Sequence, residues 1–486
     1  MTNLLSGLEP QPLWNYFEQI CQIPRPSKKE EKIIGFLLDF ARRHQLEARR
    51  DEIGNVLIAK QATPGKEHLP TIILQSHTDM VCEKNSGTLH NFDTDPIVPV
   101  VDGEWVRAEG TTLGSDDGIG IAASLAILSS NDIPHGPIEC LFTVDEETGL
   151  SGAFALEPGF MSGNILLNLD SEDEGELFIG CAGGIDTVAT FRFSPEKTPE
   201  GYFAIRLDVK GLLGGHSGDD IHKNRGNANK ILNRFLLEAH KNFDLRIAGI
   251  NGGNLRNAIA REANAIALVP HSQKEQLIAE WNMFTSDLNF EYQRNEPNLS
   301  FNHQSVEVPE FVIDLATQKN LLRAIQACPH GVLEMSSRMD GMVETSTNLA
   351  SVKMTDNEIV VTTSQRSELE TRKYWAASVV QSVFELAGAE VEHSPGYPGW
   401  APNPDSNILR TTVASYRKLF GNDPVVRSIH AGLECGLFLE KYPQLDMVSF
   451  GPTIRGAHSP DERIDIHTVG KFWKLLVDVL ENVGEK

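Results

Sequence analysis

The chain has 486 residues, a formal net charge of −24 and an apolar fraction of 40%. That length exceeds what one ordinary hydrophobic core organises, so two domains, or three small ones, are expected. The acidic balance excludes the basic face that phosphate recognition needs, so neither nucleic acid nor an anionic membrane is an expected partner. Six scattered cysteines, Cys21, Cys82, Cys140, Cys181, Cys328 and Cys435, form no CxxC pair and fit reduced thiols. The N-terminus lacks a basic region followed by an apolar run, and no apolar stretch is long enough to span a bilayer. These features read as a soluble cytoplasmic protein.

Apolar spacing predicts amphipathic helices over 12–24 and 29–46, the second with Ile33, Leu37, Phe40 and Ala41 on its inner face. A strand is expected over Asn55-Val56-Leu57-Ile58-Ala59. Another runs through Ile72-Ile73-Leu74-Gln75-Ser76 and ends in His77-Thr78-Asp79. Strand side chains alternate, so His77 and Asp79 face the same way. Further on, Gly114-Ser115-Asp116-Asp117-Gly118 leads into a small apolar run from Ile121 to Leu128. Asp117 is placed as that helix's N-cap, with Asp116 just outside its start. Ile138 to Val144 is a β-rich run that exits into Asp145-Glu146-Glu147, and Ile165 to Leu169 is another that exits into Asp170. Strands alternating with helical runs predict a mainly parallel α/β sheet with its functional edge at the strand ends.

Near residue 186 the pattern changes. Thr187 to Phe193, Tyr202 to Val209 and stretches around 255–268 and 349–363 alternate as antiparallel strands do, with a helix carrying Ile231, Phe235, Leu236 and Ala239 among them. This is an expected α+β insertion, and the Pro/Gly-rich Ser394 to Trp400 is expected as the hinge back. Beyond it, Asp446 to Gly451 is strand-like and precedes Ile454-Arg455-Gly456-Ala457-His458. A last helix buries Val469, Phe472, Trp473, Leu476, Leu480 and Val483 as packing.

Taken singly, His77-x-Asp79 is a histidine satisfied by an acid, Asp116-Asp117 a helix cap and Glu146-Glu147 a solvated acidic turn. Their joint occurrence at the exits of separate apolar strands, with Asp170 and His458, points to a site. Two imidazoles, several carboxylates and no cysteine suit Zn²⁺, with Mn²⁺ or Co²⁺ as substitutes. The inventory is enough for two ions sharing one carboxylate, with acids left over for catalysis.

The segments SHTDM (76–80), GSDDGIG (114–120), DEETGL (145–150), NLD (168–170), GLLGGHSG (211–218) and GAHSPDE (456–462) span most of the chain. Through them the chain resembles the two-zinc aminoacylase/carboxypeptidase family of metallopeptidases, and within it the bacterial aminoacyl-histidine dipeptidase branch. The resemblance implies two Zn²⁺ per chain, one on His77, Asp116 and Asp170 and one on Asp116, Glu147 and His458, with Asp116 bridging. It implies Glu146 as general base, Asp79 as the partner that holds His77, and a cis peptide bond after Asp116. Position 170 is Asp, as in the dipeptidase and aminopeptidase branches, whereas many deacylases of the family have Glu there.

In the insertion, a Gly-rich turn with a histidine is by itself an ordinary hairpin. The family likeness makes His216 an oxyanion donor and makes Asn257 and Arg366 groups that grip the substrate's carbonyl and carboxylate. The loop Ala431 to Gly436 is similar to a family segment near the substrate. The implied organisation is a catalytic domain from 1–185 and 395–486, with 186–394 as an inserted lid and dimerisation domain. The implied activity is hydrolysis of unblocked dipeptides, including Xaa-His and β-alanyl-histidine, by a homodimer formed through the lid. The alternatives are an N-acyl-amino-acid deacylase or carboxypeptidase of the same family, and a non-catalytic peptide-binding scaffold; the scaffold has no need of Glu146.

Overall fold

A computed structural model describes residues 4–484. The chain divides into two units: one runs up to Gly180, takes in Pro402–Ser428 and resumes at Leu433, and the other comprises Cys181–Ala401 with Ile429–Gly432. The second unit is therefore wider than 186–394 at both ends.

An eight-stranded sheet organises the first unit, in the order Glu47–Arg50, Val56–Lys60, Ile138–Thr143, Ile72–His77, Ile165–Asn168, Asp446–Ser449, Glu176–Cys181, Val425–Ile429. Parallel pairing is confined to the centre, from Ile138–Thr143 through Asp446–Ser449, and the recorded flanking pairs are antiparallel. The parallel strands Ile72–His77 and Ile138–Thr143 are buried along their whole length, which is why they read as unbroken apolar runs. Parallel strands bring their carboxyl ends to one edge, and that edge carries the site.

Both early helices are shorter than their apolar spacing predicts, at Gln11–Cys21 and Glu31–Arg43. Pro24 and Pro26 cannot continue the first. Left-handed backbone at Lys28 and Gln45 brackets the second. Helix Ser115–Ser129 is buried on almost every side, with irregular backbone at Asp116 and Asp117.

The second unit holds a nine-stranded sheet whose recorded pairings are all antiparallel. Its core lies between that sheet and helices including Ala228–Asn242, Lys274–Tyr292, Leu315–Ala327 and Glu370–Leu386, with Phe235, Trp281, Leu321 and Phe384 buried. Strand Gly183–Arg192 alternates buried and half-buried positions over most of its length, the expected signature of a sheet with one core face.

Ser394 to Trp400 is not a free hinge. Tyr397 N–H donates to Gly184 O at 2.8 Å, Gly184 N–H to Tyr397 O at 3.0 Å, and Trp400 and Cys181 exchange backbone bonds of 2.9 Å. The Pro/Gly content that reads as a linker here permits close packing against strand Gly183–Arg192. All six cysteines stand as thiols, and among the described residues no helix is long and apolar enough to cross a membrane.

Candidate metal centre

Beneath the strand-end residues lies a layer of buried amides and hydroxyls. Gln75 Nε2 donates to Glu434 Oε2 at 2.6 Å, Thr143 Oγ1 donates to the same oxygen at 2.8 Å, and Asn168 Nδ2 donates to Gln75 Oε1 at 2.6 Å. Gln75 is two residues before His77 and Asn168 two before Asp170, so strand alternation turns this layer and the two ligand candidates to the same side.

His77 Nε2 stands 3.0 Å from Asp116 Oδ1 and 3.3 Å from Asp170 Oδ1. His458 Nε2 stands 3.1 Å from Asp116 Oδ2 and 3.1 Å from Glu147 Oε2. Asp116 thus gives one oxygen to each histidine. The ligand atoms of His77, Asp116 and Asp170, and those of Asp116, Glu147 and His458, lie within 4.8 Å of one another in each set. The peptide bond between Asp116 and Asp117 is cis. Asp117 Oδ1 accepts the Gly120 N–H at 3.0 Å, an N-cap-like bond, although helical hydrogen bonding begins earlier, at Ser115.

The donor set fits dications. Imidazole nitrogens and carboxylate oxygens face each other, and the buried Glu147 Oε1 has no hydrogen-bond partner. Without an ion only protons balance the acids. Burial opposes a charged His77, yet Asp170, Asp116 and Asp79 raise its pKa well above the ordinary value. Hydrogen bonds to Asp116 and Glu147 push His458 up to about 11, and burial lifts Asp170 to about 7. Burial also works against ionised Asp116, but its bonds to His458 and His77 hold it below the ordinary carboxylate range. A bound dication replaces such protons.

Asp79 is wholly buried and does two things. Its Oδ1 lies 3.3 Å from His77 Nδ1, an approach without good hydrogen-bond alignment. It also accepts the Glu146 N–H at 3.0 Å, the Glu147 N–H at 3.2 Å and the Ser27 hydroxyl at 2.7 Å. Burial disfavours its charge, but His77, Ser27 and the Glu146 amide bring its pKa down to about 2. Left-handed backbone at Asp145 opens the single helical turn Glu146–Gly149. Glu147 faces His458, while the Glu146 carboxyl is raised well above its usual pKa by burial, with Asp170, Glu434 and Glu147 adding to it against His77.

Two anchors carried no signal in the sequence reading. Glu462 belongs to the GAHSPDE segment, yet its spacing suggests no role. It is buried, and its carboxylate accepts the N–H groups of Leu113, Gly114 and Ser115 at 2.7, 3.0 and 2.7 Å, and the Ser115 hydroxyl at 2.5 Å. Arg25, flanked by two prolines, donates to the carbonyls of Thr78, Asp79 and Gly114. Both hold the loop that presents Asp116.

His216, Asn257 and Arg366 lie in the second unit, where Ser217, next to His216, bonds both Asn257 and Arg366. His216 Nδ1 accepts the Gly218 and Asp219 N–H groups at 3.3 Å each, which places the ring proton on Nε2. Burial, then the Arg366 charge, lowers its pKa against Asp219 and Asp220. Asn257 is exposed, and its carbonyl accepts the Ser217 N–H at 2.8 Å. Arg366 is 7% exposed, with Nε 3.3 Å from Ser217 Oγ. His430 stands 2.7 Å from Ser346 Oγ, and burial, then Arg366 and His216, draw it down to about 3.

Two carboxylate-bridged imidazoles at the edge of a parallel-centred α/β sheet suit a metal-dependent enzyme, and residues 73–482 match the pattern of peptidase family M20/M25/M40; the chain belongs to this family. The cytosol non-specific dipeptidase of Escherichia coli K12 is 44% identical over 482 residues, which cover 99% of each chain. The crystal structure of an aminoacylhistidine dipeptidase from Vibrio alginolyticus matches with a TM-score of 0.92 at 47% identity, covering 99% of this chain and 98% of that one. Aminopeptidase PepT from Bacillus cereus shares the fold at 17% identity, with a TM-score of 0.58 over 98% of this chain and 100% of that one.

Proposed function

We propose that the chain is a cytoplasmic, metal-dependent dipeptidase that hydrolyses unblocked dipeptides of broad sequence, including Xaa-His and β-alanyl-histidine. The observation that carries this is Asp116, which offers one oxygen to each of two His–carboxylate sets beside the half-buried Glu146. End-to-end likeness to two proteins named as dipeptidases supports the substrate class.

His77, Asp116 and Asp170 would hold one divalent ion and Asp116, Glu147 and His458 the other, with zinc the fitting metal and Mn²⁺ or Co²⁺ substitutes. When bound, the pair supplies electrophilic polarisation of the scissile carbonyl and acidifies water. Glu146 takes the proton of the attacking water and returns it to the leaving amine. Asp79 orients His77 and fixes the amides that start the Glu146 turn. His216 Nε2–H meets the developing oxyanion, Arg366 the C-terminal carboxylate and Asn257 the substrate carbonyl. The inserted unit serves as lid and as homodimer surface; a monomer in sedimentation experiments would reject the dimer.

The test is hydrolysis of free and N-acetylated dipeptides, β-alanyl-histidine included, by zinc-loaded wild type and Glu146→Ala with metal content assayed in both. Cleavage of the free set is expected to fall roughly 10²–10⁴-fold in the variant while zinc stays bound. Preference for the acetylated set would assign a deacylase instead, and an inert, zinc-loaded wild type would leave a scaffold.

A further inference from the structure

The segment Ser394 to Trp400 has a role beyond closing the second unit. Arg366 Nη1 donates to the Tyr397 hydroxyl oxygen at 2.9 Å, while Nε points at Ser217 Oγ at 3.3 Å. Among the described residues no acceptor meets Nη2. Two of the three guanidinium nitrogens are thus engaged by the protein, and the third is left for a ligand.

Tyr397 is itself fixed from three directions. Its backbone exchanges both hydrogen bonds with Gly184. Its carbonyl also accepts from Lys373 Nζ at 2.7 Å; this lysine is 1% exposed and pairs with Glu370 Oε1 at 2.9 Å. Glu370 Oε1 in turn accepts the Gly399 N–H at 3.1 Å. The ring lies against two glycines: a Cβ on Gly184 would come within 2.7 Å of it, and one on Gly432 within 2.8 Å. A buried lysine and two bare glycines are a costly arrangement for holding one phenol, and the phenol's polar end is spent on Arg366.

We propose that Tyr397 is a positioning residue for Arg366, holding the guanidinium so that its Nη2 edge meets the substrate's C-terminal carboxylate, and that Tyr397 thereby sets the preference for a free carboxylate over a neutral C-terminus. The inference rests on the reading of Arg366 given above. An unheld arginine retains its charge but must order its long side chain on binding, which weakens ground state and transition state alike. The signature is a rise in KM without a matching fall in kcat.

The experiment compares kcat/KM for alanyl-histidine and alanyl-histidinamide in metal-loaded wild type, Tyr397→Phe and Arg366→Gln. Each ratio is internal to one protein, so a reduced folded fraction cancels, and phenylalanine keeps the ring between the glycines. Wild type is expected to prefer the free carboxylate, and Arg366→Gln to lose that preference. Tyr397→Phe should lower it about tenfold through KM, with kcat changed less than about twofold. A preference untouched by Tyr397→Phe but lost in Arg366→Gln would overturn the role of Tyr397 alone. A preference absent from wild type or retained in Arg366→Gln would overturn the reading of Arg366 and this inference with it.

Discussion

Asp170 and His458 report the electrostatic state of the metal-free site most directly. Burial raises Asp170 from 3.8 to about 7, and hydrogen bonds to Asp116 and Glu147 raise His458 from 6.5 to about 11. Both folded-state values lie above those of the unfolded chain. Each group therefore stabilises the metal-stripped fold at low pH and loses that contribution as pH rises, Asp170 between 3.8 and about 7, His458 between 6.5 and about 11. Metal binding must displace these protons, so the gap in Tm between metal-loaded and stripped protein should widen from pH 5.5 to 8.5; a constant gap in calorimetry would contradict the linkage. At this scale the ligand candidates were legible because a polar residue ending an apolar strand breaks a strong pattern, as His77 and Asp170 do. Arg25 was not, because the bond that defines it, to the Gly114 carbonyl, joins segments far apart in sequence, and Glu434 was reached only through the family likeness of its loop, not through its bond to Gln75. Asn257 and Arg366 rested on family likeness alone.

The elements are organised to present short, irregular pieces of backbone at the ends of rigid ones. The loop Leu113 to Asp117 is the clearest case, since its amides are satisfied by the single carboxylate of Glu462 and its Gly114 carbonyl by Arg25. Glu462→Gln puts an amide nitrogen where one carboxylate oxygen now accepts, leaving buried N–H groups unsatisfied. A loss of about 1–3 kcal/mol is expected in urea unfolding. Metal affinity should fall roughly 10–100-fold by calorimetric titration, because Asp116 lies in this loop, next to the anchored Ser115. Unchanged affinity with reduced stability would confine Glu462 to a structural role. Element type was readable wherever periodicity was long, as in Ala228–Asn242, and boundaries failed where a local device intervened. Proline shortened the first helix, left-handed residues clipped the second, and a Pro/Gly run that composition marks as a hinge is tied to strand Gly183–Arg192 by ordinary backbone bonds.

At the scale of the whole molecule, the change of sequence texture near residue 186 marks a change of sheet type, from a parallel-centred ladder to an antiparallel one. The second unit encloses its own core around Phe235, Trp281 and Phe384. A fragment spanning 181–401 is expected to unfold cooperatively when heated, with the aromatic near-ultraviolet signal of a packed core; a gradual, featureless melt would show that it depends on the rest of the chain. The clasp between Cys181 and Trp400 closes that unit at the point where the chain enters and leaves it. The chain returns to this unit at Ile429–Gly432, where the Ala182 N–H donates to the Ile429 and Ala431 carbonyls at 3.0 Å each, so two crossings rather than one hold the unit closed. Exchange of 181–401 between relatives would therefore carry His216, Asn257 and Arg366 across as one block, while His77, Asp116, Glu147, Asp170 and His458 stay in place.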